Sequence, residues 1–243
     1  MTLASVHVSF NDPDQFAPDG VMTPARYLEA ARCPASLVPR EFGLWEIKRV
    51  ATTDNPLLCL MHGNGPVTLL SRWTDATIHL GAGEVVMNDG RRELRRHLPI
   101  WLAARGRVLV TGLGLGCVVR GLLANPDVDR IDVVEIDRKI LDVVGAEFAA
   151  ESRVILHHAD AMRFQRQHPA LRWDYAWHDI WCEDGDVHLQ CLHLRLLEKF
   201  NKAAPRQGAW QFPRFAARLW ARKRSPLLGA KKKFHVKQQR SPT

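Results

Sequence analysis

Residues 107–118, with the sequence RVLVTGLGLGCV, decide the fold of this chain. The run Val108-Leu109-Val110-Thr111 is mostly apolar and β-branched, which is typical of a strand buried on both faces of a parallel sheet. Three glycines follow at alternate positions: Gly112, Gly114 and Gly116. A short helix is predicted over residues 117–123, because Asn125-Pro126 stops it. A strand, a glycine turn and a helix place unpaired N–H groups at the carboxyl edge of a sheet, where an adenosine cofactor can contact bare backbone.

The glycine spacing alone does not identify the cofactor. The glycines run G-x-G-x-G, with Cys117 where the dinucleotide fingerprint G-x-G-x-x-G has its third glycine. The next predicted strand, residues 131–137, ends on acids, and Glu135 lies 21 residues after Gly114. A carboxylate there can accept both hydroxyls of a ribose, as NAD and S-adenosylmethionine (SAM) sites require. A third predicted strand leads into the corner Asp160-Ala161, which favours SAM.

Four motifs in this order resemble a known family: VLVTGLGLG, VVEID, HADA and WDYAWHDIW. They are similar to motifs of the class I SAM-dependent methyltransferases, and within them of the spermidine-synthase-like branch, over residues 85–213. The resemblance implies an α/β fold in which a Rossmann-like, mostly parallel sheet follows a small N-terminal β-rich domain. We expect this sheet to be truncated at its C-terminal end, because there is no room for a closing hairpin before the basic tail.

The resemblance also implies a SAM site and a catalytic pair. The glycine turn would contact the methionine part of SAM, the second strand the ribose, and the corner after the third strand the adenine. The predicted cofactor-binding residues are Gly112, Leu113, Gly114, Gly116, Glu135, Ile136, Asp160 and Ala161. At the end of the predicted fourth strand, Asp179 matches an aspartate that helps to deprotonate the attacking amine in aminopropyltransferases. Together with its neighbour His178, it is predicted to position or deprotonate the acceptor.

The chain departs from the aminopropyltransferase pattern at positions that shape the substrate site. Met87 and Asn88 stand where the pattern D-E-x-x-Y-H-E has its first two acids, and Arg91 stands for its tyrosine. After Asp179 the sequence does not continue as D-S-S-D-P. Three functions therefore stay open: a SAM-dependent methyltransferase of unknown acceptor, a spermidine-synthase-like aminopropyltransferase, and a nucleic-acid-binding protein with a vestigial pocket.

The segment ahead of the glycine turn is predicted to contain β-structure and then a broken helix. Residues 41–51 are predicted as one strand, and hairpins are predicted at 57–61 with 67–71 and at 76–80 with 84–87. Residues 91–104 have a helical pattern, but Pro99 predicts a break at Leu98. Glu93 and His97 lie either on an ordinary helix surface or at the rim of the site. The predicted domains are residues 1–88, β-rich; residues 89–223, SAM-binding; and residues 224–243, a basic tail.

Composition indicates a soluble globular protein, with 46% hydrophobic and 25% charged residues in 243. We expect no signal peptide and no membrane span, because the first residues and the apolar runs fit neither pattern. Five cysteines without a C-x-x-C pair indicate free thiols in a reducing, cytoplasmic compartment. No metal site is predicted, since His188 and His193 are poorly spaced for ligands on one helix face.

Charge is distributed unevenly along the chain. After Glu198 the sequence contains 13 Lys and Arg residues and no acid, which leaves residues 1–198 with a net charge of −5. A basic tail of this kind attracts nucleic acid or another polyanion, although it is also typical of a solvated chain end. The sequence leaves the methyl acceptor and the oligomeric state open.

Overall fold

The computed structural model describes residues 21–52, 65–74, 83–180 and 186–210. These ranges form a four-stranded antiparallel sheet and, after it in the chain, a five-stranded parallel sheet. The predicted α/β class, with a parallel sheet behind a small N-terminal β-rich unit, is confirmed. The domain limits at residues 88 and 223 stay predictions.

The N-terminal sheet is an antiparallel meander that follows a short helix. Helix α1, Pro24–Ala30, begins after Thr23, whose Oγ1 accepts the N–H of Arg26 at 3.3 Å. The strands are β1 Arg40–Phe42, β2 Trp45–Ala51, β3 Pro66–Arg72 and β4 Glu84–Asn88, paired in that order.

The prediction of one continuous strand over residues 41–51 is wrong. Gly43 adopts a φ of 66° and turns the chain back, so that Phe42 pairs with Trp45. The predicted hairpin partners at residues 57–61 and 76–80 lie outside the described residues.

A broken helix joins the two sheets. Helix α2, Arg91–Leu94, runs into a 3-10 turn, Arg95–His97, and helix α3 follows as Leu98–Ala103. Pro99 lies in the first turn of α3, where no backbone N–H is needed, so the predicted break at Leu98 is confirmed. Trp101 on α3 is buried and donates its Nε1–H to the Val118 carbonyl at 3.0 Å, which fixes this link against the helix after the glycine turn.

The parallel sheet has the strand order β7-β6-β5-β8-β9. Its strands are β5 Gly106–Thr111, β6 Val128–Glu135, β7 Val154–His158, β8 Tyr175–His178 and β9 Arg206–Ala209. Its helices are α4 Cys117–Leu123, α5 Arg138–Val143, α6 Ala161–Gln167 and α7 Asp186–Phe200, with a 3-10 turn at Gly145–Phe148. The chain builds β6 and β7 on one side of β5 and then β8 and β9 on the other. The order therefore reverses at β5, and a crevice opens at the carboxyl ends of the strands there.

The last predicted strand, over residues 208–212, is shifted in the structure. It runs from Arg206 to Ala209 and pairs in parallel with β8. The predicted truncation of the sheet and the predicted helix over residues 213–223 concern residues beyond Trp210, which lie outside the described residues.

The central strands bury both of their faces. Val108 and Val110 point into one apolar cluster, which also contains Trp101 and Trp177. Leu109, between them, points into a second cluster on the opposite face, with members from β8, α6 and α7. The alternation explains why residues 108–110 are apolar without interruption.

A buried carboxylate fixes the middle of β6. Asp132 has no exposed surface, and its oxygens accept from Arg107 Nε at 2.7 Å, Trp173 Nε1 at 2.9 Å, His157 Nε2 at 2.9 Å and Arg130 Nη2 at 3.3 Å. Burial by itself would raise the pKa of Asp132, but the hydrogen bonds from His157, Arg107 and Trp173 outweigh it and hold the pKa well below its ordinary value.

Replacement of this carboxylate should cost stability in a pH-dependent way. Asp132→Asn is expected to lower the free energy of unfolding at pH 7 by about 3 kcal/mol, because buried donors lose the charge that they face. Since the folded-state pKa is depressed, the contribution is present above the unfolded-state pKa of about 4 and is lost as the pH falls below it. Urea unfolding at pH 7 and pH 3 should therefore show a gap between wild type and variant that narrows at pH 3. The control is Asp129→Asn, an exposed position on β6, and an equal gap at both pH values would contradict the assignment.

Candidate functional site

A cavity of about 530 Å³ lies at the carboxyl edge of the parallel sheet, where the strand order reverses. Its volume is in the range of small-molecule and cofactor sites. One wall is the parallel sheet with its loops, and the other comes from the N-terminal sheet. The structure brings seven of the predicted site residues to this cavity: Gly112, Gly114, Glu135, Ile136, Asp160, Ala161 and Asp179.

The glycine turn is packed so closely that two of its positions have no space for a side chain. Gly112 has a φ of 89°, and a Cβ there would lie 2.0 Å from the carbonyl oxygen of Asp179. Gly114 has a φ of 51°, and a Cβ there would lie 2.6 Å from the sulfur of Met87. The turn therefore presents backbone to the cavity.

Two predicted residues of the turn do not line the cavity. The Leu113 side chain is buried, while its N–H points to Glu135. Gly116 is the residue before α4 and faces the ring of Phe148. Both residues shape the turn without contributing to the cavity surface.

Glu135 joins the glycine turn to the end of β6. Its Oε2 accepts the N–H of Leu113 and its Oε1 accepts the N–H of Asp137, both at 2.8 Å. Burial raises the pKa of this carboxyl, and the two N–H donors act in the opposite direction. Each oxygen keeps a second lone pair, so the group can also accept ligand hydroxyls. The next residue, Ile136, is 66% exposed and adds apolar surface to the cavity.

Asp160 begins the helix that follows β7. Its Oδ1 accepts the N–H of Met162 at 2.8 Å, which caps α6, and its Oδ2 lies 3.4 Å from Arg163 Nε. Ala161 is buried beside it, and the N–H of Ala159 donates to the Glu135 carbonyl at 3.0 Å. The loops after β6 and β7 are therefore held together on the same side of the glycine turn.

The N-terminal sheet contributes a wall that the motifs did not predict. Trp45 lines the cavity and donates its Nε1–H to Asp137 at 2.7 Å, and the Arg72 guanidinium lies 5.2 Å from the Trp45 ring centre. Met87 lines the cavity too, and its sulfur accepts the N–H of Leu115 at 3.2 Å. The sequence indicates strands here, but no local pattern shows which of their side chains reach the crevice of the other sheet.

The opposite side of the glycine turn carries a second carboxyl and a small polar cluster. Asp179 follows β8, and its Oδ2 lies 3.8 Å from His97 Nε2. Glu93 also lines the cavity, accepts the Nε1–H of Trp210, and has Oε2 3.3 Å from Arg96 Nη1. The Arg96 guanidinium lies 4.6 Å from the Trp210 ring centre. Glu93 is therefore at the rim of the site, whereas His97 is buried behind Asp179.

Burial makes both Asp179 and His97 neutral at pH 7. Desolvation, reinforced by the Glu93 charge and opposed by Arg96, raises the pKa of Asp179 to about 8. Desolvation and the Arg96 charge lower the pKa of His97 to about 3. Their 3.8 Å separation is too long for a hydrogen bond, so the two groups form no ion pair at pH 7. Within the described residues, neither ring nitrogen of His97 has a hydrogen-bond partner.

The structure places His178 inside the sheet and not at the cavity. Its Nδ1 lies 3.0 Å from Thr111 Oγ1 and its Nε2 lies 3.1 Å from Gln207 Oε1. Burial lowers the pKa of the ring to about 4. Because both nitrogens are used between neighbouring strands, His178 and Asp179 do not act on the same space.

Two further searches of the described residues gave no site and no span. No group of three or more His, Cys, Asp and Glu side chains among them is arranged to hold a metal ion. None of the helices in the described ranges is long and apolar enough to cross a membrane.

Comparison with known proteins finds short similar stretches. No family model matches the sequence. The chain is 34% identical to spermine synthase of Arabidopsis thaliana over 90 residues, which are 34% of this chain and 25% of that protein. It is 38% identical to ribosomal RNA small subunit methyltransferase A of Pseudomonas aeruginosa over 58 residues, 24% of this chain and 21% of that protein. The chain thus spans a quarter or less of the length of these two relatives.

A solved structure with a related name covers more of the chain. Spermidine synthase from Thermotoga maritima matches 71% of this chain and 55% of its own, with 14% identity and a TM-score of 0.45. The two curated relatives have the names of an aminopropyltransferase and a methyltransferase. The predicted resemblance to the class I SAM-dependent methyltransferase superfamily is confirmed.

The two close approaches in the glycine turn should differ in how much they tolerate. Gly112→Ala forces a methyl group against the Asp179 backbone, so we expect a loss of several kcal/mol in the free energy of unfolding. Gly114→Ala meets the flexible end of Met87, so the loss should be about 1 to 2 kcal/mol, the cost of a positive φ. Urea unfolding measures both variants. The double variant Gly114→Ala, Met87→Ala separates the contact from the φ cost, and equal losses for the two single variants would contradict this packing.

Asp179 should make stability fall between weakly acidic and weakly alkaline pH. Its folded-state pKa of about 8 lies above the unfolded value of about 4, so the folded state holds the proton more tightly. That contribution is complete below about pH 4 and is lost as the pH rises to 8. Asp179→Asn cannot ionise, so between pH 5 and pH 8 it should lose less stability than the wild type. Carbon-13 NMR titration of the Asp179 carboxyl gives the pKa directly, and a midpoint near 4 would refute the prediction.

Proposed function

We propose that this chain, a member of the class I SAM-dependent methyltransferase superfamily, binds SAM in the cavity and transfers its methyl group to an acceptor held beside Asp179. One observation supports the proposal above the others. A single cavity is lined by the backbone turn at Gly112 and Gly114 and by the carboxylates Glu135 and Asp160 from neighbouring strands. Donors, acceptors and apolar surface for an adenosyl group thus meet in one place.

Each part of this cavity suits one part of the cofactor. The backbone at Gly112 and Gly114 would contact the methionine part, and Glu135 would accept the two ribose hydroxyls. Asp160, with Ala161 and Ile136 beside it, would hold the adenine. Leu113 and Gly116 would act indirectly: Leu113 fixes the Glu135 carboxylate, and Gly116 begins α4.

The protein's task in this reaction is alignment and exclusion of water. The sulfonium of SAM supplies an electrophilic methyl carbon, so the chain's residues need to position the acceptor rather than activate the donor. Trp45 and Leu70 close the cavity on the side of the N-terminal sheet. The Trp45–Asp137 hydrogen bond keeps that wall against the loop after β6.

Asp179 is the residue that we assign to proton transfer. Once ionised, a carboxyl with a pKa of about 8 is a stronger base than an ordinary aspartate, and it lies in the cavity where the acceptor would bind. His178 takes a positioning role in this proposal. Its bonds to Thr111 and Gln207 hold the end of β8, from which Asp179 projects.

Aminopropyl transfer is the second candidate, because two carboxyl groups, Asp179 and Glu93, line the cavity and could face a cationic amine. The name of the spermine synthase relative supports it as well. Two features favour methyl transfer instead. Met87 supplies a neutral thioether where the resembled family has an acid, and Arg96 places a positive charge beside Asp179.

Location and acceptor class belong to the same proposal. Among the described residues Cys33, Cys117 and Cys191 are free thiols, which supports a reducing, cytoplasmic compartment. The name of the ribosomal RNA methyltransferase relative and the acid-free C-terminal sequence both support a nucleic acid as acceptor.

Cofactor binding tests the proposal directly. Calorimetric titration should show saturable binding of SAM, and Glu135→Gln should weaken it at least 100-fold. The amide cannot accept hydrogen bonds at all the positions the carboxylate serves, and two charge-assisted bonds are worth about 3 kcal/mol or more. Thermal shift against SAM, decarboxylated SAM and NAD ranks the candidates.

A matched variant separates the cofactor site from general charge effects. Glu147→Gln removes an exposed carboxylate outside the cavity and should leave SAM affinity unchanged. A larger shift with decarboxylated SAM than with SAM would favour aminopropyl transfer. Tight NAD binding without SAM binding would overturn the proposal.

A further inference from the structure

Four arginines lie within six residues beside the mouth of the cavity. They belong to α2 and the 3-10 turn that follows it, and we call them the arginine band: Arg91, Arg92, Arg95 and Arg96. Glu93, on the same turn, lines the cavity, so the band starts at the cavity wall itself.

The band has an excess of positive charge that the described part of the chain does not neutralise. Arg91, Arg92 and Arg95 are exposed, and within the described ranges none of them forms an ion pair. The nearby acid, Glu93, already bonds to Trp210 with one oxygen and contacts Arg96 with the other. Positions four apart on a helix are neighbours, so Arg91 and Arg95 repel each other, as do Arg92 and Arg96. Such an arrangement is favourable when an anion binds across it.

Helical geometry gives the band a direction. Arg96 lies at the cavity edge, with its guanidinium over the Trp210 ring. Successive residues of a helix are turned by about 100°, so Arg92 lies next to Arg96 on the surface, and Arg95 and Arg91 lie further from Glu93. The positive charge therefore runs from the cavity mouth outwards over the exposed side of the helix, as a path rather than a point.

The cavity next to the start of this path suits a flat, polar-edged ring. Trp210, Ile180, Leu192 and Met162 give it aromatic and apolar walls, and Asp179 supplies a carboxyl. A carboxyl that is neutral at pH 7 both donates and accepts a hydrogen bond, which matches the adjacent donor and acceptor groups on the edge of a nucleobase.

We propose that the methyl acceptor is a base of a single-stranded nucleic acid, which enters the cavity beside Trp210 and Asp179 while its flanking phosphates bind the arginine band. This inference rests on the proposed methyl transfer and specifies its substrate. A positively charged groove that follows a backbone, joined to an aromatic surface for a base, is the usual way in which proteins bind single strands. A base in a duplex would first have to be unstacked and unpaired, which a single strand avoids.

The chemical step places the new bond on the base. A nitrogen lone pair of the base forms a bond to the methyl carbon, and the carbon–sulfur electron pair withdraws to the sulfur, which becomes a neutral thioether. The proton that the nitrogen no longer holds passes to the Asp179 carboxylate and then to solvent. A polyamine acceptor is disfavoured by the same geometry, because its positive charges would have to pass the arginine band.

The test compares two triple variants of the full chain that lose the same charge. Arg91→Gln, Arg92→Gln, Arg95→Gln removes the exposed part of the band. Arg166→Gln, Lys199→Gln, Lys202→Gln removes three exposed cations that do not line the cavity. Binding of fluorescent single-stranded RNA and DNA oligonucleotides is measured from 50 to 300 mM salt. The band variant should bind at least about ten-fold more weakly at 50 mM salt, and the slope of log K against log salt should fall by about 2, because about 0.7 is lost per phosphate contact. The control variant should resemble the wild type.

Two further arms make the outcome decisive. Inorganic polyphosphate of equal charge lacks bases, so it should bind more weakly than the oligonucleotides, and equal binding would overturn the base in the cavity. Equal losses in the two triple variants would overturn the band as the binding surface. RNA and DNA affinities show which nucleic acid fits. Calorimetric titration of the wild type with SAM reports separately on the proposed function: if SAM binds and the band variant is unaffected, only this inference fails.

Discussion

The Glu135 carboxylate fixes the geometry on which the rest of the cavity depends. It is buried at the end of β6, and it accepts one N–H from the glycine turn, at Leu113, and one from the following loop, at Asp137. A buried carboxylate is costly unless donors surround it, and the N–H groups at the turn would be equally costly without an acceptor. Each solves the other's problem, which is why a glycine turn after β5 and an acid at the end of β6 occur as a pair. The arrangement also leaves the carboxylate at the cavity surface, where a ligand can use its remaining lone pairs.

The parallel sheet could be predicted because its determinants are local. Buried strands, the glycines after β5 and Pro99 at the start of α3 each act on their own neighbours, so the sequence shows them directly. Failures occurred where one residue type has two meanings. Gly43 is a single glycine inside an otherwise strand-like run, and the left-handed turn that splits the run shows no further sequence pattern. His178 lies next to Asp179 in sequence, yet successive strand residues point to opposite faces, so the two belong to different environments.

The walls of the cavity depend on contacts between distant parts of the chain. Trp45 meets Asp137 across 92 positions, and Trp210 meets Glu93 across 117. Neither contact follows from periodicity, because each depends on how the N-terminal sheet and the last strand pack against the crevice. Met87 shows the same limit: its position matches an acid of the resembled family, but its role as an acceptor for Leu115 N–H appears in three dimensions. The predicted site residues therefore outline the floor, and tertiary packing supplies the sides.

The acceptor end of the cavity combines a neutral interior with a positive exterior. Burial raises the pKa of Asp179 to about 8 and lowers that of His97 to about 3, so the innermost groups carry no charge at pH 7. Arg96 acts on both of them, opposing the shift of Asp179 and reinforcing that of His97. A cationic substrate would gain little inside and would be repelled outside, whereas a neutral group carried on an anionic chain would meet favourable surroundings at both places. Departure of a proton to Asp179 would create a negative charge next to Arg96, so the arginine that repels a cation also stabilises the ionised base.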